Sequence, residues 1–271
     1  MTVVDLWVNA LTGQAAEAFM AQAGNEGIPD LLGGDLSAAS TLQRLLATMD
    51  ACGVDVGVVA AGLSAGETDA LLDQVAAHPD RLRVALVADR PDRPTRQCTR
   101  LRALAAHPAV ALVRVTPLVH QYPLNDKLYY PVYATCAELA LPVSVNVGIP
   151  GPRVRSACQH PELLEDILID FKGLTVIGAH MGHPYEALLM QYMLKWPDLY
   201  LSNSAYLARY MDPALVSFMD SSRGTGRVLY ASDHPFLPME RAVAAARDLP
   251  LSDAAAQAFL GGTAARLLGL D

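Results

Sequence analysis

Residues 174–184 read Leu-Thr-Val-Ile-Gly-Ala-His-Met-Gly-His-Pro, an apolar run that stops at a histidine. A run of this kind, without polar alternation, suits a strand buried on both faces, as in a parallel sheet covered by helices. The figure recurs along the chain. Apolar runs rich in β-branched residues occupy 3–8, 54–60, 82–87, 110–115, 143–147, 174–179, 199–203 and 228–232. The longer segments between them space their apolar residues as helices do, for example Leu42, Leu45, Leu46 and Met49, or Val132, Cys136 and Leu139. Eight strand–helix units in succession predict an α/β fold, a (β/α)8 TIM barrel, spanning 1–271 as one domain. A doubly wound open sheet would place a glycine-rich phosphate turn after the first run, where Ala-Leu-Thr-Gly-Gln stands. The segment 12–40 is long for a connection and is expected to cover the barrel mouth.

The composition supports this reading and excludes others. Hydrophobic residues are 52% and charged residues only 18%, which suits a large core and argues against disorder. The net charge of −8, with no basic run, argues against a nucleic-acid partner. Cys52, Cys98, Cys136 and Cys158 form no C-x-x-C pair, so neither a zinc knuckle nor a redox motif is expected. The start, MTVVDLWVNA, lacks a basic segment before a long apolar run, and no stretch reaches the length of a membrane span. The expectation is a cytoplasmic protein with a small-molecule substrate and no membrane partner. Its Ala/Leu/Arg/Asp-rich, Lys-poor composition suggests a bacterium, and a homodimer is compatible with it.

In a barrel, chemistry sits where strands end and the following loops begin. Those positions are Trp7, Asn9, Arg114, Asn146, His180, Asn203 and Asp233. Two segments place a titratable residue there beside Gly or Pro: Gly178-Ala179-His180-Met181-Gly182-His183-Pro184 and Tyr230-Ala231-Ser232-Asp233-His234-Pro235-Phe236. A polar group at the end of a buried strand costs free energy unless paired, which marks His180 and Asp233 as catalytic candidates. The bland alternatives are a histidine bonded to a carbonyl and an aspartate capping the next helix. Trp7 is either core packing or an aromatic wall for a flat substrate. Arg114 either pairs outward with an acid or faces the mouth as an anchor for carboxylate or phosphate. Tyr206 and His234 are rim candidates, with His120 and Tyr122 behind them, whereas His78, His107 and His160 precede prolines and read as structural.

These segments resemble the amidohydrolase-related family that contains aminocarboxymuconate-semialdehyde decarboxylase. Val4-Asp5-Leu6-Trp7-Val8-Asn9 stands where the family has D-x-H-x-H. Pro142-Val143-Ser144-Val145-Asn146-Val147-Gly148 stands where it has P-V-x-x-H-x-G, and Phe259–Gly269 matches its closing helix. The resemblance implies a metal held by two first-strand histidines, a fifth-strand histidine and the eighth-strand aspartate. Here those positions are Trp7, Asn9, Asn146 and Asp233. An indole cannot ligate a metal, and a carboxamide oxygen is a poor zinc ligand. The departure implies an enzyme with no cofactor; a divalent metal at Asp233 and His180 is the alternative. The expected chemistry is C–C cleavage beside a carbonyl, by decarboxylation or by retro-Claisen hydrolysis of a β-keto acid or thioester. His180 and Asp233 would move protons as a pair, and Asn9 and Asn146 would steady an oxyanion. A metal-free cyclase, dehydratase or isomerase and a non-catalytic binding protein are the competing readings.

Overall fold

A computed structural model of the chain describes residues 2–10, 21, 24, 25, 28, 41–64 and 66–270. Among these residues eight strands lie side by side in chain order, every pair parallel: β1 Val4–Val8, β2 Val56–Gly62, β3 Leu82–Val87, β4 Val110–Val115, β5 Val143–Asn146, β6 Val176–Ala179, β7 Leu199–Ser202 and β8 Val228–Leu229. Backbone bonds from Leu6 N to Tyr230 O (3.2 Å), Asp233 N to Trp7 O (2.8 Å) and Asn9 N to His234 O (2.7 Å) join the last strand to the first. The expected barrel is therefore present. Helices α1 Leu42–Cys52, α2 Thr68–Ala76, α3 Pro94–Ala105, α4 Tyr130–Glu138, α5 Leu164–Asp170, α6 Glu186–Lys195 and α7 Pro213–Met219 return the chain between strands, and α8 Met239–Arg247 follows β8. A single turn, Pro117–His120, follows β4. No helix among the described residues is long and apolar enough to cross a membrane.

Two apolar clusters account for the alternation along the strands. Val4, Leu6, Val58, Ala85, Leu112, Ile177 and Leu229 fill the barrel interior. Val8, Val59, Val84, Val113, Val145 and Leu201 pack outward, in one cluster with Leu45, Leu101 and Val132 of the helices. β1 departs from strict alternation. Its register against β2 slips by one residue between Asp5 and Val8, so Leu6 and Trp7, neighbours in sequence, both join the interior cluster. A bulge of this kind re-aims a side chain, and here it swings Trp7 and Asn9 toward the barrel's end.

The strands differ in extent from the sequence reading where side chains or turns take over backbone partners. Val54 and Asp55 precede β2 rather than belonging to it: Val54 N closes α1 onto Met49 O, and Asp55 N bonds Val3 O. β8 stops at Leu229 instead of running to 232. Beyond it, Ala231 N donates to Asn203 Oδ1 (3.0 Å) and Ser232 N to Asp5 Oδ1 (2.8 Å), so side chains replace the ladder. The expected cover at 12–40 lies outside the described residues apart from 21, 24, 25 and 28. Of these, Gly24 O accepts Arg153 N–H at 2.8 Å and Ile28 lines the mouth.

The chain closes through Asp253–Gln257, a π-helical turn Ala258–Gly262 and Thr263–Leu268, with Phe259 O accepting the N–H of Tyr230 at 3.0 Å. This segment lies directly against β1. A Cβ on Gly261 would stand 2.2 Å from Thr2 O and 2.9 Å from Val4 N, both backbone atoms. Gly261→Ala should therefore push the closing helix off β1 and cost about 1–3 kcal/mol, read as a lowered thermal midpoint. An unchanged midpoint would show that the closing helix does not need this approach.

Candidate active site

A cavity of about 470 Å³ opens where the strands end, and Trp7, Asn9, Asn146, His180, Tyr206 and Asp233 all line it. Its outer wall is apolar, built from Leu118, Val119, Ile149, Tyr210 and Phe236, with Arg241 as a cation at the rim. Six of the eight residues expected at the site thus converge. Arg114 and His234 do not line the cavity.

Arg114 sits beneath it. The alternation of β4 that places Leu112 in the interior also turns Arg114 inward, and it is 1% exposed. Its guanidinium carbon lies 3.8 Å from the centroid of the Trp7 ring, and Nη2 donates to Leu6 O (2.9 Å) and Val58 O (3.0 Å). It neither pairs outward nor meets the mouth, so the reading of Arg114 as a substrate anchor is corrected: it is the floor on which Trp7 rests. His234 serves the site through its backbone, its carbonyl accepting Asn9 N–H and Asn9 Nδ2 (3.1 Å).

His180, directly after β6, and Asp233, four residues beyond β8, both have left-handed backbones, φ 62° and φ 65°. Non-glycine residues rarely adopt this conformation, and it concentrates at functional positions. Ser204 holds His180 from the β7 side. Its Oγ accepts the His180 backbone N–H at 3.0 Å, and its Oγ and carbonyl oxygen lie 2.9 and 3.2 Å from Nδ1. That leaves Nε2 for the cavity. The His180 ring leans on Trp7, with centroids 4.8 Å apart. Burial pushes the imidazole down to about 4, against the Ser204 backbone bond and with help from the nearby Arg114 charge, so it is neutral at pH 7.

Asp233 behaves in the opposite way. Burial pushes its carboxyl up to about 7, outweighing the hydrogen bond from Asn9 and the charge of Arg114. Its hydrogen bond is with Asn9 Nδ2 (3.0 Å), not with the imidazole. The expected His180–Asp233 pair, with a carboxylate raising the imidazole, is therefore corrected. Ser204 orients the histidine and Asn9 the aspartate. Asn9 also loses its expected oxyanion role, because Nδ2 already serves Asp233 and the His234 carbonyl. Asn146 keeps its freedom: it is buried, and its Oδ1 has no partner among the described residues. Gly148 after it (φ 91°) lets the β5 and β6 loops touch, since a Cβ there would stand 2.5 Å from the Gly182 carbonyl carbon.

Two contributors carried no role in the sequence reading. Ser204 was not among the strand-end candidates. Asp5 lay in the first-strand motif, yet it is fully buried, with Oδ1 accepting the N–H groups of Trp7 (3.2 Å) and Ser232 (2.8 Å). An acidic residue inside a strand read as apolar was the available signal. Asn203 ties β7 to β8 through Ala231 N and reaches Tyr206 O (2.9 Å), a structural role.

A family model described as amidohydrolase matches residues 18–270, and the chain belongs to that family. No curated protein matches. Among solved structures, an uncharacterised TIM-barrel protein from Bordetella bronchiseptica superposes with a TM-score of 0.81 at 21% identity, 99% of each chain covered. The 5-carboxyvanillate decarboxylase of Sphingomonas paucimobilis gives 0.75 at 17% identity, again over 99% of each chain. That of Novosphingobium aromaticivorans, complexed with manganese and 4-hydroxy-3-methoxy-5-nitrobenzoic acid, gives 0.76 at 16%, covering 99% of this chain and 96% of the other.

The manganese in the last structure overturns the expectation of an enzyme without a cofactor. Among the described residues no three His, Cys, Asp or Glu side chains cluster, so a cage of three such ligands is not what these residues offer. It offers oxygen: the Asp233 carboxylate and the unpartnered Oδ1 of Asn146. Carboxylate and carbonyl oxygens suit manganese or magnesium better than zinc, and such ions complete their coordination with water and substrate. A cation would also offset the burial of Asp233. The donors fit a hard divalent ion.

Asp5 yields a prediction about stability. Burial pushes its carboxyl up to about 6 from 3.8, against hydrogen bonds from Ser232 and Trp7 and the charge of Arg114. The folded chain then binds a proton more tightly than the unfolded chain, so stability falls as pH rises between about 4 and 6. Asp5→Asn keeps the acceptor for both N–H groups and removes the buried charge. Denaturant unfolding should find the variant similar to wild type near pH 4 and more stable near pH 8, by up to about 3 kcal/mol. A variant less stable at pH 8 would show that the ionised carboxylate holds β1 to the segment after β8.

Proposed function

We propose that this chain is a decarboxylase of a planar hydroxyaryl carboxylate, assisted by a divalent metal. The observation that carries the reading is the convergence of His180, Asp233 and Asn146 at the base of one cavity whose outer wall is apolar. Decarboxylases with 5-carboxyvanillate as substrate share its fold, which supports the same bond and substrate class.

Asp233 and Asn146 Oδ1 would hold the metal. Once bound, it would orient the substrate's carboxylate and draw charge from its hydroxyl oxygen as the C–C bond breaks. The chain's own residues do the rest. The apolar wall excludes water and sides with the flat face of a ring. Trp7, fixed from below by Arg114, sets the depth to which a ring can enter. His180, neutral and with Nδ1 held by Ser204, presents Nε2 to the substrate. The electron pair of the broken bond stays on the ring carbon and carbon dioxide leaves. Nε2 takes a proton from the substrate hydroxyl and passes it to that carbon, which returns the imidazole to its neutral form. Asn9 keeps Asp233 turned into the cavity.

Carbon dioxide release from a panel of ortho-hydroxybenzoates, with added manganese, tests the activity. His180→Ala should lower kcat roughly 10²–10⁴-fold with the fold intact by circular dichroism. Turnover unchanged in that variant, or no release from any member of the panel, would sink the reading. Manganese binding is a separate measurement, followed by electron paramagnetic resonance of the free ion. Asp233→Asn should weaken it roughly tenfold or more, and equal binding by variant and wild type would remove Asp233 from the metal.

A further inference from the structure

A second, smaller pocket of about 100 Å³ lies beside the ends of β2 and β3, lined by Ser64, Arg90, Arg93, Arg96 and Gln97. We propose that it binds a phosphate group, held by the N-terminus of α3, the guanidinium groups of Arg93 and Arg96, and the buried carboxamide of Gln97.

Three observations meet there. The first turn of α3, a helix of 12 residues, has no side-chain cap and no acidic residue, and Pro94 stands at its start. Its first N–H groups lack intrahelical acceptors and carry the positive end of the helix dipole. Gln97 then places a donor in the same pocket. It is 1% exposed, and its Oε1 accepts the Arg90 backbone N–H at 2.8 Å. That bond orients the amide, since the reversed amide would set two donors against each other. Nε2 is left buried, with no acceptor among the described residues. An unsatisfied buried donor is costly, and an anion's oxygen would satisfy it.

The charges around the pocket favour an anion. Arg90 is engaged by Asp92, through bonds of 2.8 and 2.7 Å, and Arg93 Nε is 3.9 Å from the same carboxylate. Asp89 is turned to the Ser64 N–H, at 3.1 and 3.0 Å. Three guanidinium groups against two carboxylates leave one net positive charge, in a chain whose total is −8. Both carboxylates have partners, whereas Arg96 takes part in no ion pair among the described residues. A phosphate group offers several acceptor oxygens at once, matching guanidinium, helix N–H and amide donors together.

The pocket shares the barrel face on which the main cavity opens. Leu118 and Val119 of the turn Pro117–His120 line that cavity, and His120, in the same turn, lies within electrostatic reach of Asp89, Asp92 and Arg90. The phosphate could be carried by an organic ligand or be free in solution.

Isothermal titration of the full chain at low salt, with inorganic phosphate and with phenyl phosphate, tests the site. Wild type should bind inorganic phosphate saturably. Gln97→Glu keeps the acceptor for Arg90 N–H but replaces the donor with negative charge, and should weaken binding at least about tenfold. Arg96→Ala, at an exposed position, should do so by a similar factor without any burden on folding. Arg100→Ala removes a cation of the same helix that is paired with Asp69 and should leave binding unchanged. Phenyl phosphate binding tighter than inorganic phosphate assigns the site to an organic phosphate, and equal binding assigns it to the free ion; both support the site. No saturable binding by wild type, or equal losses in Arg96→Ala and Arg100→Ala, would overturn it.

Discussion

The guanidinium of Arg114, buried in the barrel under the ring of Trp7, is the feature on which the site rests. A cation out of water is costly, and among the described residues only Nη2 of this one finds hydrogen-bond acceptors. Nη2 binds the carbonyls of Leu6 and Val58, the indole faces it, and the carboxyls of Asp5 and Asp233 lie in its field. The bulge in β1 belongs to the same arrangement, since only the slipped register sets Leu6 and Trp7 inward together. The charge also reaches upward, where it adds to burial in keeping the His180 imidazole neutral.

The barrel was legible because parallel strands in it are buried on both faces. Buried strands must read as apolar runs, and all eight did. What the runs could not show was where the ladder yields to side chains. Residues 230–232 continue the apolar run, yet the Phe259 carbonyl, Asn203 and Asp5 accept their N–H groups in turn and β8 ends early. The bulge was equally silent, because a slip of one residue leaves the composition of β1 unchanged.

At the site, the rule that chemistry gathers at strand ends found Trp7, Asn9, Asn146, His180 and Asp233, and they share one cavity. The partners of each were not legible. Hydrogen bonds of single side chains depend on backbone angles, and φ near 60° at both His180 and Asp233 turns them toward different neighbours, Ser204 and Asn9. Arg114 failed for a simpler reason. A lone arginine among valines reads as functional or outward-facing, and alternation along β4 sent it inward. The inference of a cofactor-free enzyme went astray by counting imidazoles, because an ion that prefers oxygen asks less of the protein and more of substrate and water.

Charge balance links these features. Among the groups coupled at the base of the cavity, Arg114 supplies one positive charge, while Asp5 and Asp233 supply two carboxyls. Burial pushes both carboxyls up, to about 6 and about 7, which is how a dry site limits its excess of negative charge. Asn9 and Asn146 are neutral and change nothing in this balance; the lowered His180 adds no positive charge at pH 7. A substrate carboxylate entering such a cavity would bring a further negative charge against Asp233. The site would admit it with a proton on Asp233 or with a divalent ion held by Asp233 and Asn146, which would supply the positive charge that neither the amides nor the neutral imidazole provides. The same residues that make the site poor in imidazole thus make it short of positive charge.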